Sequence, residues 1–450
     1  MLAGSAKLSL GDQHSIILKS DGSVWSTAVT ALNSNCGTSC ATGTNFAKFI
    51  PTGAIDVAAG NAFSLILRED GGVWGTGRNS KGQLGDRSRD RKKIMVLAQT
   101  ISDAKAVAAG AHHSMVVSQQ GYVWATGWNF YGQLGVTKKY KTKFTTVMFG
   151  EAKTVALGEL HSVVLKEDGS VWATGRNKNG QLGDGSNTDR NAFVKVMPND
   201  AVEVAAGGSH SMVLKTDGSV WATGWNEYGQ LGDGSTTDRR NYVEVVSFGT
   251  KAIATGRRHS IILKHNGGVW TTGSNVFGQL GDGTNTKRYA FVGGILGEAK
   301  AVAAGGFHSM VLKRDGSVWA TGSNRNGQLG DGTRIPKRNY MQIISVGNGK
   351  FGLVVLCHTQ LAIIIPTRYI HKFIHVDDPV IASSHHIIFR AFTLPSYSPV
   401  CLFTLSCVLF YRITITLHSL VGDASVNEAS DTTQAAARRG VNLLTEIGTS

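Results

Sequence analysis

The sequence predicts an all-β fold, a seven-bladed β-propeller of four-stranded antiparallel blades followed by a C-terminal extension of different character. Three observations carry that prediction. A tryptophan returns every 48 to 50 residues, at Trp25, Trp74, Trp124, Trp172, Trp221, Trp270 and Trp319, and a period of this size marks a repeat architecture. Each copy holds four short runs rich in β-branched and apolar residues, clearest at 193–197, 202–206, 210–215 and 219–223. The last two flank Asp217-Gly218, a pair that accepts the positive φ of a tight hairpin. A sheet this small cannot bury its own faces, so the copies must stack, and seven sheets stack most naturally into a closed ring.

The chain ends supply the third observation. The first copy opens at 6–10, which corresponds to the second strand of later copies, and 340–346 (YMQIISV) is a spare first strand after the seventh. The strand signals then make seven complete sets of four. The ring is expected to be sealed by pairing the N-terminal strand with the C-terminal one, which removes exposed edges.

Taken in order, the copies differ mainly after their tryptophan. Copy one replaces the GQLGDG loop with TAVTALNSNCGTSCATGTNF, containing Cys36 and Cys40. No second Cys/His pair stands nearby at ligand spacing, so a zinc site is not expected. Copy two carries DRSRDRKK, with Arg87, Arg89, Arg91, Lys92 and Lys93, and copy three carries KKYKTK, with Lys138, Lys139 and Lys141. Copies five, six and seven place Arg239-Arg240, Lys287-Arg288 and Lys337-Arg338 at the same phase. Strand alternation puts these loops on one face, together with the Gly-x-x-His turn that carries Arg257 and Arg258. The Asp-Gly hairpins fall on the other.

That loop face is therefore expected to be basic and to hold the binding residues. Two tryptophans outside the register join it, Trp128 and Trp225, each three residues before a tyrosine, Tyr131 and Tyr228. Such rings beside arginine are the material of interface hot spots. A cation repeated at one phase, as at Arg190, Arg239, Arg288 and Lys337, also has a plainer reading as a bond within the fold. The dense runs in copies two and three repel themselves and call for an acidic partner.

Each register tryptophan follows a His-Ser pair by eleven residues, at His14, His113, His161, His210, His259 and His308, with Phe63 replacing the histidine in copy two. A catalytic site needs one asymmetric constellation. A dyad in almost every copy points instead to an inter-strand hydrogen bond that each blade needs. The run 184–189 resembles part of a calcium loop but lacks the downstream glutamate, and reads as a turn. No P-loop or dinucleotide fingerprint is present, so no cofactor is expected. The register tryptophans read as inter-blade core, without the arginine-flanked aromatic clusters that light sensing would require.

The segment HSMVLKTDGSVWATG followed by GQLGDG resembles the repeat of the regulator of chromosome condensation family, whose members form seven-bladed propellers. The resemblance covers about residues 1–350. It implies a range of roles, because the family includes an exchange factor for the small GTPase Ran that docks on nucleosomes, a β-lactamase inhibitor, an ultraviolet-B receptor and propellers attached to ubiquitin ligases. One fold hosts many functions. The leading expectation is a non-enzymatic interaction scaffold for an acidic protein or nucleoprotein, with a small GTPase or a nucleosome among its partners. The alternatives are guanine-nucleotide exchange on a Ran-like GTPase and an enzyme-inhibitor propeller. The near-constant spacing leaves little room for the exchange factor's wedge-like protrusion.

Composition sets the remaining bounds. The net charge is +14, and residues 351–450 contain equal numbers of acidic and basic residues, so the whole surplus lies in 1–350. That sign favours acidic partners, including non-specific contact with nucleic acid. Five cysteines, an odd number mostly outside the repeats, and the lack of an apolar leader-like stretch before the first strand suggest a cytoplasmic or nuclear protein. Residues 351–450 form a second region with four glycines and no tryptophan, expected to be poorly ordered. Its uncharged run, 391–411, is broken by Pro395 and Pro399, and is too short to span a bilayer.

Overall fold

The computed structural model describes residues 5–27, 44–137, 139–293 and 296–345, and two short strands, Leu353–Leu356 and Ala362–Ile365, that pair antiparallel. The chain divides into two units, Met1–Ile370 and His371–Ser450. Cys36, Cys40, Lys138 and the apolar run 391–411 lie outside the described residues, as does nearly all of the region after residue 350.

Seven four-stranded antiparallel sheets make up the propeller. Blade 5 typifies them, with strands Ala201–Ala206, His210–Lys215, Val220–Gly224 and Arg239–Val246 in hydrogen-bonded order. The strand that opens the same sequence copy, Arg190–Met197, pairs with Val171–Gly175 of blade 4. Copy and blade are out of step by one strand.

This offset corrects the expected closure by pairing of the chain ends. Ser5–Leu10 opens a complete blade 1 whose outer strand is Ala47–Ile50, and Lys337–Ile344 is the outer strand of blade 7. Among the described residues no sheet mixes strands from the two ends. The physical reason lies in the short segment after each outer strand. Residues 198–200 do not form a hairpin; they cross above the preceding Asp-Gly turn, where the Ala201 N–H donates to the Gly169 carbonyl at 3.1 Å.

The ring nevertheless closes, through the contacts used at other junctions. At the hub, seven glycines follow the inner strands in a circle, and a Cβ on Gly305 would fall 2.6 Å from the Gly11 carbonyl oxygen. Phe46 packs on Gly330 as Tyr242 packs on Gly183. Gly332 N–H donates to the Thr44 carbonyl at 3.0 Å. The apolar core runs between blades, so Leu8 and Ile17 of blade 1 share a cluster with Met310, Leu312 and Leu329 of blade 7.

The His-Ser pairs bond between blades rather than between strands of one blade. His161 Nε2 meets Ser211 Oγ at 2.9 Å, and the same bond, at 2.8 to 3.0 Å, links His14, His113, His210, His259 and His308 to the serine of the next blade. His308 reaches Ser15 across the seam. Phe63 interrupts the series, and the Ser114 hydroxyl donates to the Gln83 carbonyl at 2.7 Å. Burial pushes the pKa of these histidines down to between about 3 and about 4. They are neutral structural groups.

Candidate functional site

The long loops are organised by an asparagine that motif reading passed over. In blade 4, Asn177 is fully buried; its Nδ2 donates to Asp184 Oδ1 at 2.9 Å and its Oδ1 accepts the Leu182 N–H at 3.0 Å. Asp184 also accepts the Ser186 N–H, confirming 184–189 as a turn. Arg190 then pairs with Asp184 at 2.6 Å, and Lys92–Asp86, Arg239–Asp233, Arg288–Asp282 and Lys337–Asp331 repeat the pairing at 2.7 to 3.3 Å. These aspartates are almost buried, and their pKa values lie below the usual range because loop hydroxyls, amides and the cation outweigh burial. Arg239 and Lys337 are thus loop-holding cations, the plainer of the two sequence readings, and Lys92, which the sequence placed in the dense cationic run, holds its loop in the same way.

The other candidates lie on the outside of these loops. Arg87, Arg89, Arg91, Lys93, Lys139, Arg240 and Arg338 are exposed, and Lys141 is half-buried. Arg89 joins the blade 2 and blade 3 runs, its guanidinium 5.3 Å from the Tyr140 ring centre. Arg87 stands at φ 66°, where the loops of blades 4 to 7 have Gly185, Gly234, Gly283 and Gly332 near φ 80°.

Both off-register tryptophans sit in mixed cationic and aromatic clusters. Trp128 contacts Phe130, Tyr131 and His112, with ring centres 5.6 to 6.1 Å apart, and Lys81 of blade 2 approaches its face at 5.1 Å. Arg176 of blade 4 lies 5.1 Å from Tyr131, and Phe130 is 62% exposed. In the second cluster Arg258 lies 5.3 Å from Trp225 and 4.8 Å from Tyr228, and donates to the Tyr228 hydroxyl at 3.2 Å. The off-register rings thus stand beside arginine as the sequence reading expected, and they form arginine-flanked aromatic clusters, which that reading did not find when it considered light sensing. Arg258 meets its rings because the Gly-x-x-His turn of blade 6 reaches the loop of blade 5, whereas Arg176 and Lys81 reach Tyr131 and Trp128 from the long loops of the two blades that flank blade 3, proximities that spacing along the chain does not reveal. The register tryptophans also differ from plain core: most are half-buried, and Lys166, Lys215 and Lys313 lie within 4.7 Å of the Trp172, Trp221 and Trp319 ring centres.

A further cluster occupies the hub on the same face. The second residue of the Gly-x-x-His turn is Asp12, Asn61, Ala111, Glu159, Gly208, Arg257 or Gly306. Arg257 Nε reaches over blade 5 to Glu159 Oε1 at 2.5 Å, and Asn61 Nδ2 donates to Asp12 Oδ2 at 2.7 Å. Gly208 makes room, since a Cβ there would lie 3.1 Å from Arg257 Cγ. Burial raises the pKa of both Asp12 and Glu159, and Arg257 opposes it. The signal available in sequence was the charged or amide residue that some copies place at the second position of a turn whose two middle residues vary.

The fold and these turns define an RCC1-type propeller. The RCC1-like domain model matches residues 3–251, and models of the regulator of chromosome condensation (RCC1) repeat match 251–279, 299–328 and 266–312. The chain belongs to the RCC1-like family. Human WBSCR16 is similar in structure, with a TM-score of 0.61 and 22% identity over 67% of this chain and 85% of that one. Yeast RCC1 (Prp20), solved bound to Kap60, gives 0.60 and 21% over 68% and 79%. Prp20p of Saccharomyces cerevisiae, described with its binding to Gsp1p and histones, gives 0.56 and 20% over 65% and 77%. No curated protein sequence matches the chain. Among the described residues no helix is long and apolar enough to cross a membrane, and no group of three or more His, Cys, Asp or Glu residues is placed to hold a metal ion.

Proposed function

We propose that this protein is a non-enzymatic interaction scaffold whose loop face receives an acidic surface of a protein or nucleoprotein partner. One observation carries the reading: cations and aromatic rings from successive blades interleave on that face, with Arg258 against Trp225 and Tyr228, and Arg176 against Tyr131. A guanidinium held against rings keeps its charge while losing little further freedom on binding, and that combination is typical of hot spots. The His-Ser pairs are committed to blade junctions, which supports a non-catalytic role. Partners of this class belong in the cytosol or nucleus.

The test compares the full-length chain with Trp225→Ala, Arg258→Glu and Arg91→Glu variants in partner capture at low and high salt. A partner that survives high salt on the wild type and is lost from the variants supports the reading. Equal capture by all four overturns it. Exchange on a Ran-like GTPase is the second reading, supported by the likeness to Prp20p, whose binding to Gsp1p is described. A nucleotide-release assay with such a GTPase separates the two.

A further inference from the structure

We propose that the outer strand of blade 2, Lys92–Thr100, is a docking edge that takes an extended acidic segment of a partner protein as a fifth strand. The proposal rests on the cationic loop-face reading and narrows it to one blade and one mode of contact.

The strand ends its sheet, so one side of its backbone has no neighbouring strand in that blade. Every blade has such an edge, and natural sheets protect theirs with polar or charged side chains. Opposite the register tryptophan, five other blades do so, with Lys48, Thr146, Lys195, Glu244 and Gln342. Blade 2 has Leu97 there, 48% exposed, and Ile94 close by is 47% exposed. An added strand would cover both.

The occupant's charge follows from the loop that leads into this strand. Arg87, Arg89, Arg91 and Lys93 outnumber the exposed Asp90 beside them. Arg87 adds an independent sign. It holds a left-handed backbone conformation that the corresponding loops of four blades give to glycine, and a non-glycine residue there is strained. Glycine would relieve the strain, and the Cβ position is open in Gly234. A positive charge at the strand entrance is the property that glycine cannot supply. Strand addition gains affinity from main-chain bonds and specificity from alternate side chains, which fits a segment alternating acidic and apolar residues.

The probe is a fluorescent, end-blocked octapeptide alternating Glu and Val, titrated against the full-length chain by anisotropy, beside the same peptide with alternate backbone amides methylated. Methylation removes strand pairing and leaves charge unchanged. Binding of the plain peptide, weakened roughly tenfold by methylation and roughly tenfold by a double variant Ile94→Asn, Leu97→Gln, supports the proposal. The variant side chains are those of blade 7, Asn339 and Gln342, so the fold tolerates them at this phase, and they leave the charge unchanged. Equal binding of both peptides overturns strand addition while leaving a cationic surface in place. No binding of the plain peptide, or equal binding by the double variant, overturns the edge itself; partner capture with the Trp225 and Arg258 variants reads the loop face separately.

Discussion

Replacing His161 by phenylalanine should make the propeller more resistant to acid while changing its stability little at pH 8. His161 Nε2 bonds Ser211 Oγ, but its Nδ1 is buried without a hydrogen-bond partner. Ser211 keeps its own donation to the Gln181 carbonyl at 2.7 Å, and Phe63 shows that a phenyl ring fits this position fully buried. Losing the His-Ser bond costs about 1 kcal/mol, and burying an apolar ring in place of a partly unsatisfied imidazole offsets it. At pH 8 the variant should therefore lie within about 1 kcal/mol of the wild type.

Acid separates them. Burial lowers the native pKa of His161 to about 4, below its ordinary value of 6.5. The unfolded chain therefore takes up the proton first, so stability is complete above pH 6.5 and drains away as the pH falls toward 4. At pH 5 this one group has removed about 2 kcal/mol, and the six buried histidines together about 12 kcal/mol, similar to the whole stability of a typical domain. Acid unfolding is expected near pH 5 with uptake of several protons. Urea titrations of both proteins at pH 8, 7, 6 and 5 measure the difference. A gap between them that is the same at pH 8 and pH 5 would refute the reasoning.

Three further outcomes follow from particular contacts. Arg87→Gly should raise stability by about 1 kcal/mol by removing left-handed strain, read in urea, while weakening binding of the Glu-Val peptide. Arg257→Ala leaves Glu159 and Asp12 buried without their cation and should cost about 2 kcal/mol at pH 7; adding Glu159→Gln should restore most of it, a non-additivity that a double-mutant cycle detects. Asp233→Ala strips Asn226, Ser235 and Arg239 of a shared acceptor and should cost about 3 kcal/mol, visible as a lower urea midpoint.

The tryptophan register made the number of blades, their strands and the two faces legible from residues alone. What it did not disclose was which strand neighbours which. Periodicity is indifferent to where a copy begins, and only the crossing of 198–200 over the Gly169 turn decides that Arg190–Met197 belongs to blade 4. The same limit applied to the loop face. Trp225 and Tyr228 were legible as a pair because they are three residues apart, whereas Arg258 meets them from thirty residues farther along. The plain role of Arg239 was one of two readings until Asp233 appeared beside it. Asp12, Asn61 and Glu159 went unread because each stands at a position that varies from copy to copy, and Arg257, read only as a loop-face cation, meets Glu159 through ring geometry.

The one-strand offset also sets the order in which the molecule can be built. Had the first blade borrowed its first strand from the far end, it would have remained open until the whole ring was synthesised. Here Ser5–Leu10 through Ala47–Ile50 is a finished sheet once the opening stretch of the second copy has emerged, and each later blade is completed in turn. Strand pairing involves only near neighbours along the chain, which favours rapid, stepwise assembly. The join between blades 7 and 1 is the one place where no peptide linkage carries an outer strand into the next hub. A clasp of side chains and loops, fastened last, holds it shut.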